Sequence, residues 1–341
     1  MSRARPVMAI SVGCPSGVGP EVALVAAARE KEARCLLVGD RRVLEAAAKL
    51  RRVAARRLVV VESAAAVKHL APGMIGIWGP SRQLVGPSRP GHPTEEAGAA
   101  QLAWIDEATD LVRSGVAAAL VTGPASKLAI ATSGAPGAAG FRGHTEHLAE
   151  RLGASEVVMA FRSEQLTTAL VTTHLPLAEV PNAVTPDGVC TSVYWLARTL
   201  IRLGNPRPKI AVAALNPHAG EGGLLGSEES ETIGPGMALA RIRLAAEGRS
   251  AELVGPLGAE TAFRLGAKGA YDGVVAMYHD QATIPCKLLG FGEAVNVTLA
   301  LPIIRTSVDH GTGYDLAGTG KADARGMREA IRLALRLATA G

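Results

Sequence analysis

The chain has 341 residues, 48% of them hydrophobic, and a net charge of +5, so it can bury one large core or two closely joined ones. Its basic residues are scattered and aromatic residues make up only 3%, which argues against a nucleic-acid partner. No stretch reaches the roughly 18 to 20 apolar residues of a membrane span, and the cysteines form no paired motif, so we expect a cytoplasmic protein with neither a membrane anchor nor a disulfide framework.

Short apolar runs alternate with longer segments of helical periodicity along the chain. In chain order the predicted strands are 7–12, 35–38, 58–61, 117–121, 157–161, 168–172, 210–215, 274–277 and 295–301. The clearest predicted helices are 95–113, 189–203, 233–247 and 324–340. Such alternation is typical of an α/β fold with mostly parallel sheets flanked by helices.

Three histidines directly follow predicted strands. They are His174, His218 and His279. Ligands of open α/β sheets gather beyond the carboxyl ends of the strands, and imidazoles are common ligands of divalent metals, so these three side chains are candidate metal ligands. For each histidine alone, a hydrogen-bonded loop residue is the simpler interpretation, and the spacing does not decide between the two.

Charged residues and glycines cluster near the same predicted strand ends. Lys287 and Arg305 have the chemistry that recognises a phosphate or a carboxylate, although surface ion pairs would explain them equally well. Glycines concentrate in 13–19, 220–226 and 310–323. None of these segments has the spacing of a Rossmann dinucleotide loop or of a P-loop, so both of those nucleotide sites are disfavoured.

These motifs resemble those of the 4-hydroxythreonine-4-phosphate dehydrogenase family. The matching segments are 16–21 (SGVGPE), 122–127 (TGPASK), 143–146 (GHTE), 173–177 (THLPL), 215–223 (LNPHAGEGG), 277–281 (MYHDQ) and 305–312 (RTSVDHGT). The resemblance implies an isocitrate and isopropylmalate dehydrogenase-like fold. Residues 1–341 would then form a single dehydrogenase unit of two interleaved α/β subdomains with the active site in the cleft between them.

The same resemblance implies roles for individual residues. His174, His218 and His279 would bind one divalent metal, such as zinc, magnesium, cobalt or manganese, at a site completed across a homodimer interface. Substrate-binding positions would be His144, Thr145, Lys287, Asn296 and Arg305. The loop from His310 to Asp323 is similar to the NAD or NADP loop of decarboxylating dehydrogenases, and its cofactor-binding positions would be His310, Gly311, Thr312, Asp315, Gly318 and Asp323.

The activity implied is oxidation of the C3 alcohol of a small phosphorylated hydroxy acid, 4-phosphooxy-L-threonine. The product, 2-amino-3-oxo-4-phosphooxybutanoate, decarboxylates to 3-amino-2-oxopropyl phosphate in the biosynthesis of pyridoxal phosphate. A metal on the alcohol oxygen would act as a Lewis acid while the nicotinamide accepts the hydride, and Asp280 or Lys127 would serve as the base. The alternatives are a dehydrogenase of 4-phospho-D-threonate or 4-phospho-D-erythronate and a non-catalytic phosphometabolite-binding protein.

The chain departs from the family pattern at four positions. Cys14 replaces an acidic residue in the first glycine-rich loop, and Glu260 stands where the family usually has aspartate. Ala282 and Ala300 occupy positions that are commonly glycine. These differences bear on the identity of the substrate more than on the class of reaction.

Overall fold

The computed structural model describes residues 5–290 and 292–340. These residues form two compact α/β units. The first unit combines the chain up to Gly153 with Pro302–Thr339, so it is built from two separate segments of sequence. The second unit contains Ala154–Leu301.

The described residues form twelve strands and twelve α-helices, besides short 3-10 and π-helical turns. The strands are β1 (Val7–Ser11), β2 (Arg34–Val38), β3 (Leu58–Val61), β4 (Ile75–Trp78), β5 (Ala119–Thr122), β6 (Val158–Arg162), β7 (Thr167–Leu170), β8 (Lys209–Ala213), β9 (Glu252–Leu257), β10 (Gly273–Ala276), β11 (Val295–Leu299) and β12 (Arg305–Val308). The helices are α1 (Gly19–Arg29), α2 (Arg41–Leu50), α3 (Ala64–Val67), α4 (Glu95–Arg113), α5 (Lys127–Ala131), α6 (His144–Leu152), α7 (Val180–Ala183), α8 (Pro186–Arg202), α9 (Gly234–Ala246), α10 (Ala259–Ala267), α11 (His279–Gly290) and α12 (Arg325–Thr339).

The strands of the first unit lie in the order β3-β4-β2-β1-β5-β12, and every neighbouring pair is parallel. Strands β1 and β5 are buried along their whole length, as expected for parallel strands covered on both faces. Helix α4 begins at a threonine N-cap, because Thr94 Oγ1 accepts a hydrogen bond from Ala97 N at 3.1 Å. Gly98 lets this helix approach α5, since a Cβ there would lie 1.8 Å from Ala129 O.

The strands of the second unit lie in the order β11-β6-β7-β10-β8-β9. The β11-β6 and β6-β7 pairs are antiparallel, whereas the β7-β10, β10-β8 and β8-β9 pairs are parallel. A buried apolar cluster packs this sheet against α10 and α11, and it includes Phe161, Leu170, Val274 and Phe263. The parallel part therefore brings the carboxyl ends of β7, β10 and β8 to one edge.

The structure confirms the α/β prediction of mostly parallel sheets flanked by helices. Each predicted strand corresponds to an observed one within a few residues, and the predicted helix 95–113 has the bounds of α4. Strands β4, β9 and β12 were not predicted. Within the described residues, no helix combines the length and the apolar character needed to cross a membrane.

Candidate functional site

Arg305 is the most deeply buried of the predicted substrate-binding residues. It opens strand β12, is only 3% exposed, and donates a hydrogen bond from Nη2 to Thr122 Oγ1 at 2.7 Å. Burial lowers the pKa of Arg305 to about 9, although the carboxylate of Glu146 opposes the shift. The guanidinium therefore remains a cation at neutral pH, and the hydrogen bond to Thr122 holds it at the start of β12.

His144 is the first residue of helix α6 and lies close to other basic groups. Burial lowers its pKa well below the usual range, and the charges of Arg305, His147 and Lys127 add to this effect. The imidazole is therefore neutral at physiological pH. Its Nε2 atom is buried and has no hydrogen-bond partner among the residues that the structure describes, so this atom is available to a bound ligand.

Lys127 reaches the same place from the start of helix α5. Ser126 caps this helix by accepting a hydrogen bond from Ala129 N at 3.2 Å. A Cβ built on Gly143 would lie 3.6 Å from Lys127 Nζ and 2.8 Å from Glu146 Oε2. The glycine therefore leaves room for an ammonium and a carboxylate beside His144.

The first unit thus brings together four predicted residues from three distant segments. We call Lys127, His144, Thr145 and Arg305 the cationic site. Thr145 is buried next to His144. The other two predicted substrate-binding residues belong to the second unit, where Lys287 is exposed on α11 and Asn296 lies on β11 opposite Phe161.

The predicted cofactor loop, residues 310–323, is hydrogen-bonded to the segment 17–21 of the same unit, which includes the end of the first glycine-rich loop. Thr312 O accepts a hydrogen bond from Val18 N at 2.8 Å, and a Cβ on Gly17 would lie 2.6 Å from that oxygen. Gly318 N donates to Glu21 Oε1 at 2.8 Å. Glycine at position 17 therefore permits a backbone contact that a larger residue would prevent.

The predicted cofactor-binding residues differ in their exposure to solvent and in their contacts with the rest of the chain. His310, Gly311, Asp315 and Gly318 are exposed, and His310 Nδ1 lies 2.9 Å from Gly311 O. Asp323 pairs with Arg325 Nε at 2.7 Å. Burial alone would raise the pKa of Asp323, but backbone and side-chain hydrogen bonds from Arg325 lower it, so this carboxylate is ionised and also helps to start α12.

Two of the three candidate metal ligands lie side by side in the second unit. The ring centroids of His174 and His279 are 5.4 Å apart. Two imidazoles that bind one tetrahedral cation, each nitrogen about 2.0–2.1 Å from it, have centroids about 5 Å apart. The spacing of this histidine pair, His174 and His279, therefore fits a shared divalent ion.

Asp280 orients one member of the pair. Its Oδ1 lies 2.7 Å from His279 Nδ1, an arrangement in which Nδ1 carries the proton and Nε2 keeps its lone pair for a metal. Both residues belong to the first turn of α11, directly after the carboxyl end of β10. Local sequence alone thus places a candidate ligand and a carboxylate together.

His218 is positioned differently from the histidine pair. It lies in a turn after β8, its side chain is 75% exposed, and its Nδ1 is 3.4 Å from Glu221 Oε1. The described residues of one chain contain no cluster of three or more His, Cys, Asp or Glu side chains arranged to hold a metal. A three-histidine site is therefore not complete within the single chain.

Several residues that shape these sites were not predicted. Thr122 anchors Arg305, Glu21 holds the cofactor loop, and buried Glu229 accepts hydrogen bonds from the segment that leads to His218. Each acts through a contact distant in sequence or through a backbone group, which residue patterns do not reveal. The sequence did hold weaker signals, since Thr122 and Glu21 lie within the family segments 122–127 and 16–21, and Glu229 is one of several acidic residues that follow His218.

Two residues that depart from the family pattern, Glu260 and Cys14, make side-chain contacts within their own unit. Glu260 is exposed, and its carboxylate pairs with Arg264 Nε at 2.5 Å and accepts from the Thr261 hydroxyl at 3.0 Å. Cys14 is buried, and its Sγ lies 3.5 Å from the hydroxyl of Tyr314 in the cofactor loop. Burial raises the pKa of the Cys14 thiol, so this position carries no negative charge at neutral pH.

Comparison with known proteins places these features in one family. The model of the family described as "Pyridoxal phosphate biosynthetic protein PdxA" matches residues 31–334. A 4-hydroxythreonine-4-phosphate dehydrogenase of Geobacter metallireducens is 43% identical over 349 residues, covering 99% of this chain and 97% of that protein. The 4-hydroxythreonine-4-phosphate dehydrogenase of Desulfosudis oleivorans is 41% identical over 344 residues, covering 97% of this chain and 96% of that protein.

The fold agrees with that assignment. The crystal structure of 4-hydroxythreonine-4-phosphate dehydrogenase from Klebsiella pneumoniae superposes with a TM-score of 0.82 at 35% identity, covering 98% of this chain and 100% of that one. The similarity thus extends over both units. The chain belongs to the PdxA family of pyridoxal phosphate biosynthetic proteins.

Proposed function

We propose that this chain is an NAD-dependent 4-hydroxythreonine-4-phosphate dehydrogenase. It oxidises the C3 alcohol of 4-phosphooxy-L-threonine to 2-amino-3-oxo-4-phosphooxybutanoate, a β-keto acid that loses carbon dioxide to give 3-amino-2-oxopropyl phosphate. The observation that carries the proposal is the cationic site. Relatives named for a phosphorylated substrate match the chain over nearly its whole length. The fold of this chain brings together the side chains of the cationic site, which are suited to binding an anion.

The cationic site has the donors that a phosphate or carboxylate requires. Arg305 offers a planar fork of N–H groups that is already oriented by Thr122. His144 is neutral, so one ring nitrogen donates a hydrogen bond without adding another charge beside Arg305 and Lys127. We also propose Lys287 and Asn296 as substrate-binding residues, because an ammonium and an amide suit an anionic group of the substrate.

The histidine pair fits a divalent metal by its spacing. When bound, a divalent cation supplies a positive charge that stabilises the oxygen from which the hydroxyl proton departs. Asp280 keeps Nε2 of His279 free to bind by holding the opposite ring nitrogen. We assign His218 as the third ligand and propose that a homodimer completes the site, because one chain alone does not assemble the set.

Hydride transfer to NAD requires that the hydroxyl proton leave the substrate. Lys127 and Asp280 are the two candidate acceptors in this chain. They differ in their surroundings, since Lys127 faces His144 and Glu146 whereas Asp280 is bonded to His279. The pH profiles of Lys127→Met and Asp280→Asn distinguish them, because removing the base abolishes the acidic limb of kcat/KM.

The cofactor loop is the proposed NAD site. It approaches the first glycine-rich loop closely and leaves the backbone of Gly311 and Gly318 exposed. We propose NAD and not NADP as the hydride acceptor. Comparison of KM for the two cofactors tests this choice directly.

The deciding experiment measures NADH formation from 4-phosphooxy-L-threonine before chelation, after chelation and after re-addition of a divalent metal. We expect the rate to vanish on chelation and to return with zinc, cobalt, magnesium or manganese. His218→Ala should remove both the bound metal and the rate. An unchanged rate after complete metal removal would refute the metal-dependent reaction.

Parallel assays with 4-phospho-D-threonate and 4-phospho-D-erythronate test substrate identity. A higher kcat/KM for either acid would assign the chain to sugar-acid breakdown. Tight ligand binding with no reduction of NAD by any of the three substrates would indicate a binding protein.

A further inference from the structure

The turn that carries His218 has an unusual backbone. His218, Ala219, Gly220, Glu221 and Gly222 all have positive φ angles, between 46° and 78°. L-residues disfavour this left-handed region because Cβ approaches the following carbonyl oxygen, and here three of the five are not glycine. A run of this kind persists only where surrounding contacts over-determine it.

Glu229 provides those contacts. Its side chain is buried, with a relative exposure of 8%, and it begins a single π-helical turn, Glu229–Ile233. Its Oε1 accepts hydrogen bonds from Leu215 N at 2.9 Å and from Asn216 N at 2.8 Å. One carboxylate oxygen therefore fixes the backbone immediately before the strained turn.

The second oxygen of Glu229 reaches the turn itself. Oε2 accepts a hydrogen bond from Asn216 Nδ2 at 3.0 Å. A Cβ built on Gly220 would lie 2.8 Å from the same oxygen, so the carboxylate packs against the middle of the turn. Glu229 thus restrains both the entry of the turn and the residue two positions after His218.

We propose that Glu229 is a positioning residue that holds the left-handed turn in the conformation in which His218 binds the metal. The inference rests on the proposed function, since it takes His218 as a metal ligand. Glu229 itself does not bind the metal, because its carboxylate oxygens are occupied by N–H groups of residues 215 and 216. It acts by removing conformational freedom from the ligand before the metal arrives.

The neighbouring carboxylates differ: Glu228 Oε2 accepts from Asn216 Nδ2 at 2.7 Å, but the backbone N–H groups of Leu215 and Asn216 donate to Glu229. Glu221 lies on the turn but is exposed and pairs only loosely with His218, at 3.4 Å. Glu231 is exposed, and its Oε2 accepts from Ser227 Oγ at 2.8 Å. Glu231 therefore offers a matched control, because it belongs to the same π-helical turn and carries the same charge, but its carboxylate accepts from Ser227.

The experiment compares Glu229→Ala, Glu229→Gln and Glu231→Gln in the full chain. Affinity for Zn²⁺ and Co²⁺ is measured by titration calorimetry without substrate, and the visible spectrum of the Co²⁺ form is recorded. We expect Glu229→Ala to lower metal affinity about 10- to 100-fold, as changes beside metal ligands do, and to alter the Co²⁺ spectrum. Glu231→Gln should match the unaltered protein.

Glu229→Gln tests the same idea with less disturbance of the fold. Its carbonyl oxygen can still accept from Leu215 N and Asn216 N, so its loss of metal affinity should be smaller than that of Glu229→Ala. Hydrogen exchange of the metal-free proteins gives a measurement that does not depend on how much metal each variant binds. The amides of residues 215–222 should exchange faster in Glu229→Ala than in Glu231→Gln.

His218→Ala separates failure of this inference from failure of the proposed function. If His218→Ala keeps full metal affinity, the metal assignment itself is wrong. If His218→Ala loses affinity while folded Glu229→Ala and Glu229→Gln keep the affinity and Co²⁺ spectrum of the unaltered protein, only the positioning role is overturned. A reduced affinity in Glu229→Ala that Glu229→Gln partly restores supports it.

Discussion

The cationic site and the histidine pair are assembled in different ways. Arg305 is buried and anchored through Thr122, a residue on a neighbouring strand far away in sequence. His279 instead depends on Asp280, the next residue in the chain, and its side chain is 34% exposed. The cationic site is therefore anchored by a contact between distant segments, whereas His279 is oriented by the residue that follows it in the chain.

Removing the buried guanidinium should break the cationic site most severely. We expect Arg305→Met to lower kcat/KM about 100-fold, close to 3 kcal/mol, because it removes a charged, pre-oriented hydrogen-bond donor. Arg305→Lys keeps the charge but loses the planar fork, so its loss should be smaller, roughly tenfold. Steady-state kinetics with 4-phosphooxy-L-threonine measure both.

Arg332→Met is the control for this change. Arg332 is an exposed arginine of α12 in the same unit that pairs with Glu329 at 2.8 Å, and an exposed pair of this kind contributes little. Its kcat/KM should stay at the level of the unaltered protein. Equal losses in Arg332→Met and Arg305→Met would show that the effect is not specific to the cationic site.

A change at Asp280 tests whether the histidine pair depends on its local contact. Asp280→Asn should weaken binding of Zn²⁺ or Co²⁺ about 10- to 100-fold, because the carboxylate that orients His279 Nδ1 is lost. Calorimetry without substrate separates this effect from any role of Asp280 as a base. Glu252→Gln removes an exposed carboxylate of the same unit that pairs with Lys209, and it should leave metal affinity unchanged.

The smallest predicted effect concerns Ala300, which lies just after β11 and has a φ of 73°. Ala300→Gly should raise the free energy of unfolding by about 1 kcal/mol, because glycine adopts this left-handed conformation without strain. The same change at Ala282, buried within α11, should lower it by about 1 kcal/mol or more. Urea unfolding of both variants measures the sign of each change in the free energy of unfolding. A loss of stability in Ala300→Gly would contradict this account.

The α/β pattern was predictable because buried parallel strands are continuous apolar runs, as in β1 and β5. Strand β12 escaped prediction because its residues, Arg305–Val308, are mostly polar, although the sheet buries all of them. Arg305 was assigned to the substrate only by family resemblance. Its anchoring by Thr122 could not be predicted, since nothing in the local sequence links residues that lie 183 positions apart.

The sequence by itself determined nine of the twelve strands, which residues carry the family motifs, and the placement of Asp280 next to His279, because these depend on nearby residues. Only the tertiary structure decided that Arg305 lies buried beside Thr122, that His144 is neutral, and that Glu229 restrains the turn of His218. Burial and hydrogen bonds between distant segments control these properties. They exist only once the strands have paired and the backbone has been fixed in three dimensions.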